Sequence, residues 1–365
     1  MGDRTGSLEG MVSQIFWRGK RVFITGHTGF KGGWLSLWLH KLGANVVGYA
    51  LPPPTTPSFF VTTGIESLLQ SAIGDIRNQE ALSQSIKTAN PEIIFHLAAQ
   101  PLVSDGYRDP VGTYQTNVTG TLNLLEAART LTDLRAVVVV TTDKCYENRE
   151  TNDAYREGDP LGGYDPYSAS KACAEIITHA WRRSFFTGEQ ATRVATARAG
   201  NVIGGGDWAE HRLLPDLLRA FTANKTAELR HPEAIRAWQH VLEPLSGYLR
   251  LAEGLFSDHS AQGAWNFGPA LADCVSVGTV ADQLAAYWPQ PANWQVMESN
   301  IPHEAGLLIL DSTQAREKLK WRPCWPLAEA LRRTVDWQRA WLDKQDMQAF
   351  SKQQIDSYLQ VGVTQ

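Results

Sequence analysis

The sequence predicts an α/β protein: a Rossmann-type doubly wound parallel sheet with a smaller C-terminal substrate-binding lobe. Three observations carry this. Short β-type apolar runs alternate with helical patterns from Arg21 to Arg198, as in a parallel sheet with crossover helices. The run 136–141 is almost all valine, which suits a strand buried on both faces. A glycine loop spans 26–33, placed between the first run and a helical pattern.

In order, strands are expected at Arg21–Thr25, Asn45–Ala50, 92–97, 136–141 and 192–198. Helices are expected at 34–42, which stops at Gly43, at 113–131 and at 166–186. The stretch between the second and third strands reads as helical. The alternation weakens after about residue 204. The domain reading is a flexible tail over 1–14, a dinucleotide-binding domain over 15–203 plus about 235–270, and a substrate lobe over about 204–234 plus 271–365.

Composition excludes several classes. The formal charge is −4, so no basic excess points to nucleic acid or an anionic membrane. Apolar residues make up 43% and charged residues 20%, a globular balance rather than a disordered one. No apolar run approaches the ~18 residues of a membrane span. The first residues lack a basic and apolar leader pattern, so the cytoplasm is expected. The four cysteines, Cys145, Cys173, Cys274 and Cys324, match no zinc template, and no metal is expected. Most of the 13 tryptophans are expected in the core, with Trp208 a candidate for stacking on a base.

Gly26, Gly29 and Gly32 form a G-x-x-G-x-x-G spacing. Glycine allows positive φ, and a missing Cβ lets a pyrophosphate approach the main chain. The following helix N-terminus offers free N–H groups to it. No acid ends the second strand, and no Arg or Lys lies within Pro52–Phe60 to hold a 2′-phosphate. NAD is therefore the expected cofactor. Asp75 is either an adenosine contact or a helix N-cap.

Tyr167 and Lys171 stand at i and i+4, on one helix face. An ammonium beside a phenol lowers its pKa toward working pH. Such a tyrosine takes a proton from a hydroxyl as hydride leaves the same carbon. Thr142, Asp143 and Lys144 follow the valine strand. Ligands of open α/β sheets bind beyond the carboxyl ends of strands. Asp143 and Lys144 are therefore a candidate acid and base, or charges on a surface loop.

The glycine loop, His96 to Gln100, Thr142 and the Tyr167/Lys171 pair together resemble the extended short-chain dehydrogenase/reductase superfamily. Within it, the Thr142-Asp143-Lys144 stretch resembles the sugar-nucleotide 4,6-dehydratases. The likeness is strongest to the branch acting on CDP-glucose. It runs through 16–23, 143–149, 162–167, 198–208 and 238–247.

The resemblance implies NAD held by Gly26, His27, Thr28, Gly29, Phe30, Lys31, Gly32, Asp75, Ile76, Leu97, Ala98, Ala99, Asn117, Tyr167 and Lys171. It implies a nucleotide-sugar held by Gln100, Thr142, Asn201, Arg236 and His303. Asn201 alternatively marks a strand-end turn, Arg236 a surface ion pair and His303 a solvated loop.

The implied chemistry is an internal redox cycle. Tyr167 deprotonates the C4 hydroxyl, with Lys171 holding it ionised and Thr142 bonding the C4 oxygen. Lys144, standing where dTDP-glucose enzymes carry Glu, takes the C5 proton. Asp143, protonated, delivers a proton to the departing C6 hydroxyl. A homodimer or higher homo-oligomer is implied, as is a role in deoxysugar synthesis for bacterial surface polysaccharide such as O-antigen. The alternatives are a dehydratase of another hexose nucleotide, a 4-epimerase or reductase of the same superfamily, and a dinucleotide-binding sensor.

Overall fold

The computed structural model describes residues 12–151, 153–297 and 307–364. The strands are β1 (Arg21–Thr25), β2 (Asn45–Ala50), β3 (Gln70–Ile73), β4 (Ile93–His96), β5 (Ala136–Val140), β6 (Arg193–Ala199), β7 (Asn201–Ile203), β8 (Ala227–Leu229), β9 (Ile235–His240), β10 (Gly263–Phe267), β11 (Cys274–Ser276) and β12 (Trp294–Val296). Seven form one sheet in the order β10-β6-β5-β4-β1-β2-β3, every pair parallel. This is the doubly wound architecture expected. The order reverses between β1 and β4, so a crevice opens there at the carboxyl ends.

β5 shows why a continuous apolar run can be one strand. Ala136, Val138 and Val140 face one core, with Trp34, Leu245 and Leu249. Val137 and Val139 face the other, with Leu82, Leu124 and Leu125. Successive side chains alternate faces, and helices cover both. Each fully buried valine contributes roughly 1.5–3 kcal/mol.

The helix Pro166–Ser184 starts where its signals place it. Asp165 accepts from Ser168 N, Pro166 takes the first position, and Arg182 and Arg183 end the last turn. A buried ion pair seats this helix on the sheet. Arg198 of β6 donates to Glu175 through Nε at 2.9 Å and Nη2 at 2.8 Å. Thr141 and Thr196 donate to the same carboxylate.

The lobe is built on two small sheets, β11-β9-β7 and β12-β8. The structure departs from the sequence reading in several places. β9 was expected to return to the main sheet; it pairs instead with β7 and β11, and only β10 returns, beside β6. β7 leaves the main sheet just past Gly200 and gives β9 its partner. β3 lies in a stretch read as helical. It is a four-residue edge strand with half-exposed side chains, so it carries no apolar signal. The expected helix 113–131 begins at Pro110, passes through a π-turn at Gln115–Thr119 and ends at Ala128. In the expected tail, Val12 is buried and Ser13 caps a short helix; residues 1–11 lie outside the described residues. Trp208 is half-buried and packs edge-on against Trp337 and Trp341. Among the described residues, no helix is long and apolar enough to cross a membrane.

A second buried carboxylate joins the C-terminal segments to the body. Glu243 accepts from Cys324 N, Trp325 N and the Tyr358 hydroxyl. Burial pushes its carboxyl up to about 7 against the pull of these donors.

Two predictions follow from the buried carboxylates. Glu175→Ala strands the Arg198 guanidinium in the interior and costs about 3–5 kcal/mol in urea unfolding; a loss under about 1 kcal/mol, the worth of a surface pair, would show otherwise. For Glu243 the folded state binds a proton that the unfolded chain releases above its ordinary 4.5. Its contribution is therefore full below 4.5, falls as pH rises and reaches a floor above about 7. The stability difference between the natural chain and Glu243→Gln should decline across that window; a flat difference would contradict the assignment.

Candidate active site

The site forms where β1, β4 and β5 end. Gly26 follows β1 with φ +81°, and a Cβ on it would stand 2.7 Å from Ala98 N. A Cβ on Gly32 would lie 2.0 Å from Gly26 O. These two positions accept only glycine. Gly29 N donates to Gly26 O at 3.1 Å, which closes the turn, and Gly29 is the N-cap of the helix Phe30–Lys41. The helix N-terminus thus faces the crevice, a ready anion site.

A chain of hydrogen bonds welds β1 to β4. Ala98 N donates to Thr25 Oγ1, which pairs with His96 Nδ1 at 2.7 Å. His96 Nε2 pairs with Thr121 Oγ1 at 3.1 Å, and Thr121 donates to Asn117 O. Thr121 has spent its proton, so His96 carries hydrogen on Nε2. Burial pushes this imidazole down to about 3, so it is neutral.

Several expected cofactor contacts prove to have their side chains engaged. His27 turns inward, with Nε2 2.7 Å from Ser71 Oγ, under Gly48, where a Cβ would strike the ring at 2.3 Å. Thr28 Oγ1 donates to Leu51 O. Both side chains are buried and bonded to protein atoms. Asn117 accepts from Gln100 N and donates to Gln100 O and Ser170 Oγ. It clamps the loop after β4 to the helix of Tyr167. Gln100, expected against the sugar, donates to Thr113 Oγ1 and accepts from Leu102 N, so its amide ties its own loop. Ile76 is buried against Gly120. Leu97, Ala98 and Ala99 run along the crevice just past β4.

Asp75 stands at the end of β3. Arg77 donates to it from its backbone and its guanidinium, at 2.6–2.9 Å, and holds its carboxyl below the usual range. Asn78, not Asp75, caps the next helix. Arg77 is a cation near the expected adenosine end that the sequence reading passed over.

Tyr167 and Lys171 are both buried, on one face as the spacing predicts. The expected electrostatics do not hold. Lys171 Nζ donates to Val140 O at 3.1 Å, the last carbonyl of β5. Burial pushes the Tyr167 phenol up to about 12 rather than down; Thr142's side-chain hydrogen bond and the Arg212 charge oppose this, while Asp143 adds to it. The Lys171 ammonium is itself lowered to about 8 by burial, against Glu175.

Thr142, Asp143 and Lys144 form a tight turn past β5. Thr142 Oγ1 accepts from Lys144 N at 3.3 Å and donates to Asp143 Oδ1 at 3.0 Å. Asp143 is 4% exposed, which argues against a surface loop. Burial raises its carboxyl above the usual range, against the Lys144 charge, Thr142's hydrogen bond, Arg236 and Lys31. Gly200 makes room: a Cβ there would lie 2.9 Å from Asp143 Oδ2. Lys144 is half-buried.

The lobe adds Asn201 at the start of β7, half-buried opposite Trp238. Arg236 of β9 is buried, donates to Ile235 O and acts on Asp143. It is not a surface ion pair. His303 lies outside the described residues.

Three charged groups complete the site. Lys31 extends from the glycine loop among Arg212, Asp143, Lys171 and Asp207. Burial lowers it to about 8; Arg212 and Lys171 add to this, while Asp143 and Asp207 oppose it. Arg212 and Asp207 pair at 2.9 Å. Sequence reasoning missed this pair because a loop contact five residues apart follows no helical or strand period.

Comparison with known proteins agrees with this geometry. The family model described as GDP-mannose 4,6 dehydratase matches residues 23–334. A CDP-glucose 4,6-dehydratase of Salmonella typhimurium is 50% identical over 354 residues, 96% of this chain and 99% of that one. Among solved structures, an epimerase of Methanothermobacter thermautotrophicus superposes with a TM-score of 0.78 at 21% identity, over 90% of this chain and 95% of the other. A dTDP-glucose 4,6-dehydratase of Bacillus anthracis in complex with NAD gives a TM-score of 0.72 at 20% identity, over 89% and 98%. At these identities the structural matches speak for the fold, and the sequence matches for the family. The chain belongs to the GDP-mannose 4,6 dehydratase family.

Proposed function

We propose that this chain is a lyase that converts CDP-glucose to CDP-4-dehydro-6-deoxyglucose and water. One observation carries the reaction type. A buried carboxyl with a raised pKa, Asp143, accepts from the Thr142 hydroxyl in the site that also holds the buried Tyr167 phenol. An epimerase or reductase uses the phenol alone and has no task for an acid there. The choice of CDP-glucose is supported by the Salmonella typhimurium relative, half identical along nearly its whole length.

NAD fits the crevice as its resident cofactor. The glycine turn leaves the backbone of 26–32 open beside a helix N-terminus, and a Cβ on Gly29 would meet only Gly26 O, at 3.4 Å. Gly26, Gly29, Gly32 and Lys31 would hold the pyrophosphate, and Lys171 the nicotinamide ribose. When bound, the dinucleotide supplies an acceptor that takes a hydride from C4 and returns it to C6, so no external oxidant is consumed.

The protein's own groups move the protons. Tyr167 accepts the C4 hydroxyl proton. Lys144 takes the proton at C5, acidified by the new 4-keto group, and returns it there. Asp143 protonates the departing C6 hydroxyl. Burial suits this last role, because a carboxyl held neutral can donate. Arg236 and Asn201 face the nucleotide-sugar from the lobe, and a guanidinium suits a pyrophosphate. A homodimer is supported by exposed Tyr107, Val111, Tyr114 and Ile176, on the helix Pro166–Ser184 and the two short helices Val103–Arg108 and Pro110–Tyr114.

Incubated with CDP-glucose and NAD, the protein should release a product lighter by one water that develops absorbance in alkali. No such product from CDP-, dTDP-, GDP- or UDP-glucose would end this reading. Lys144→Ala should stop dehydration while leaving oxidation at C4. Mass spectrometry of quenched enzyme should then find a 4-keto sugar that keeps its C6 hydroxyl, near one per site. An unchanged overall rate would reject Lys144 as the base.

A further inference from the structure

The proposed function divides the work between two parts of the chain. Tyr167 and Lys171 stand on the helix Pro166–Ser184. Thr142, Asp143 and Lys144 stand on the turn past β5. Both parts act on one hexose ring, so the spacing between them has to be held closely.

The turn holds its own shape loosely. Its internal backbone donors reach far: Lys144 N lies 3.3 Å from Thr142 Oγ1, Cys145 N lies 3.4 Å from Thr142 O, and Tyr146 N lies 3.4 Å from Asp143 O. Ordinary N–H···O bonds cluster at about 2.9–3.0 Å. The residues on either side are gripped more closely. Ahead of the turn, Thr141 donates to Glu175. Glu175 follows Lys171 by one helical turn and shares its face. Beyond the turn, the Tyr146 hydroxyl accepts from Arg198 Nη1 at 2.6 Å and donates to Asn266 Oδ1 at 2.8 Å. Arg198 is the residue that Glu175 holds through Nε and Nη2. One guanidinium therefore joins the helix of Tyr167 to the far end of the turn.

Tyr146, Arg198, Glu175 and Asn266 are all buried. The outgoing chain is paired with another loop, where Gly162 N donates to Cys145 O and Glu147 N donates to Pro160 O. The Tyr146 hydroxyl reaches the main sheet instead, at β6 and β10. Burial raises its phenol above the ordinary value, so it stays protonated and keeps a donor for Asn266.

We infer that Tyr146 is a positioning residue for dehydration: its hydroxyl, held by Arg198 and Asn266, sets where Asp143 and Lys144 stand relative to Tyr167 and Lys171. The inference rests on the dehydratase reading above. Tyr146 acts through the turn and moves no proton of the reaction. Loss of its hydroxyl loosens the end of the turn nearer Lys144. Lys171 still donates to Val140 O, and Thr141 still donates to Glu175. The oxidation half of the site is spared, and the dehydration half is displaced.

The test removes one oxygen. Tyr146→Phe keeps the ring, which stacks on Tyr155 at 5.0 Å. In single turnovers with CDP-glucose and NAD, quenching and mass spectrometry read two rates. One is formation of the 4-keto sugar that keeps its C6 hydroxyl; the other is formation of the product lighter by one water. Oxidation at C4 and the KM for CDP-glucose should stay close to those of the natural enzyme. Dehydration should fall ~10–100-fold, the scale of a misplacement near 1 Å, and the 4-keto intermediate should collect on the enzyme. Arg198→Lys is the second variant, and it carries the test should Tyr146→Phe not fold. An ammonium pairs with Glu175 but lacks a fork to reach Tyr146 as well, so the same split is expected. Hydrogen exchange gives a readout free of turnover: amides of 142–147 should exchange faster in Tyr146→Phe, with those of 166–184 unchanged. Both rates falling by one factor, or neither changing, would overturn the inference, as would unchanged exchange over 142–147. A natural enzyme that dehydrates no hexose nucleotide would overturn the dehydratase reading instead, while the exchange result still reports on the anchor.

Discussion

Charge kept out of water at the carboxyl edge of the sheet is the constraint on which the site depends. Glu175, Arg198, Lys171, Asp143 and Arg236 are all buried. A buried charge is tolerated only when paired and hydrogen-bonded. Glu175 meets that demand with a guanidinium and two threonines, and so makes a rigid floor beneath Lys171. Lys171 meets it with a strand-end carbonyl. Asp143 lies under the charges of Lys144, Arg236 and Lys31, yet burial outweighs them and its carboxyl rises toward the neutral form. The same burial that costs stability therefore prepares an acid.

The glycine positions apply a second constraint, this one steric. Backbone passes within 3 Å of where a Cβ would be at Gly26, Gly32 and Gly163, and an Asp143 oxygen does so at Gly200. At Gly26 the close approach brings the loop after β4 against the loop after β1, and at Gly32 it packs the following helix onto the turn itself. At Gly200 it lets Asp143 sit against the start of the lobe. Small residues thus bring together the strand ends that carry the chemistry.

Local features were legible because they leave a period or a spacing. The valine run of β5, the glycine turn and the Tyr167/Lys171 interval are all short-range patterns. β3 was not legible, since an edge strand with half-exposed side chains needs no apolar alternation. The partnership of β9 was not legible either, because a strand's pattern shows that it is buried and not which strand lies beside it. Gln100 was expected to line the sugar pocket because it follows a strand, and Asn117 to contact the dinucleotide by resemblance. In the fold they bond one another, Thr113 and Ser170. Arg212 and Asp207 left no mark at all, being loop residues that meet only because the loop folds.

By itself, the sequence determined five of the strands up to about residue 200 and the helices between most of them, that a dinucleotide-type turn follows β1, and which residue types carry acid and base. Those depend on near neighbours along the chain. Only the tertiary structure decided how protonated each group is and whom it touches. Lys171 turned to a carbonyl, the phenol rose to about 12, and Thr142 came to donate to Asp143. The physical reason is that desolvation and charge pairing depend on distance through space, and Arg212, Arg236 and Lys31, which act on these groups, come from segments far apart in the chain.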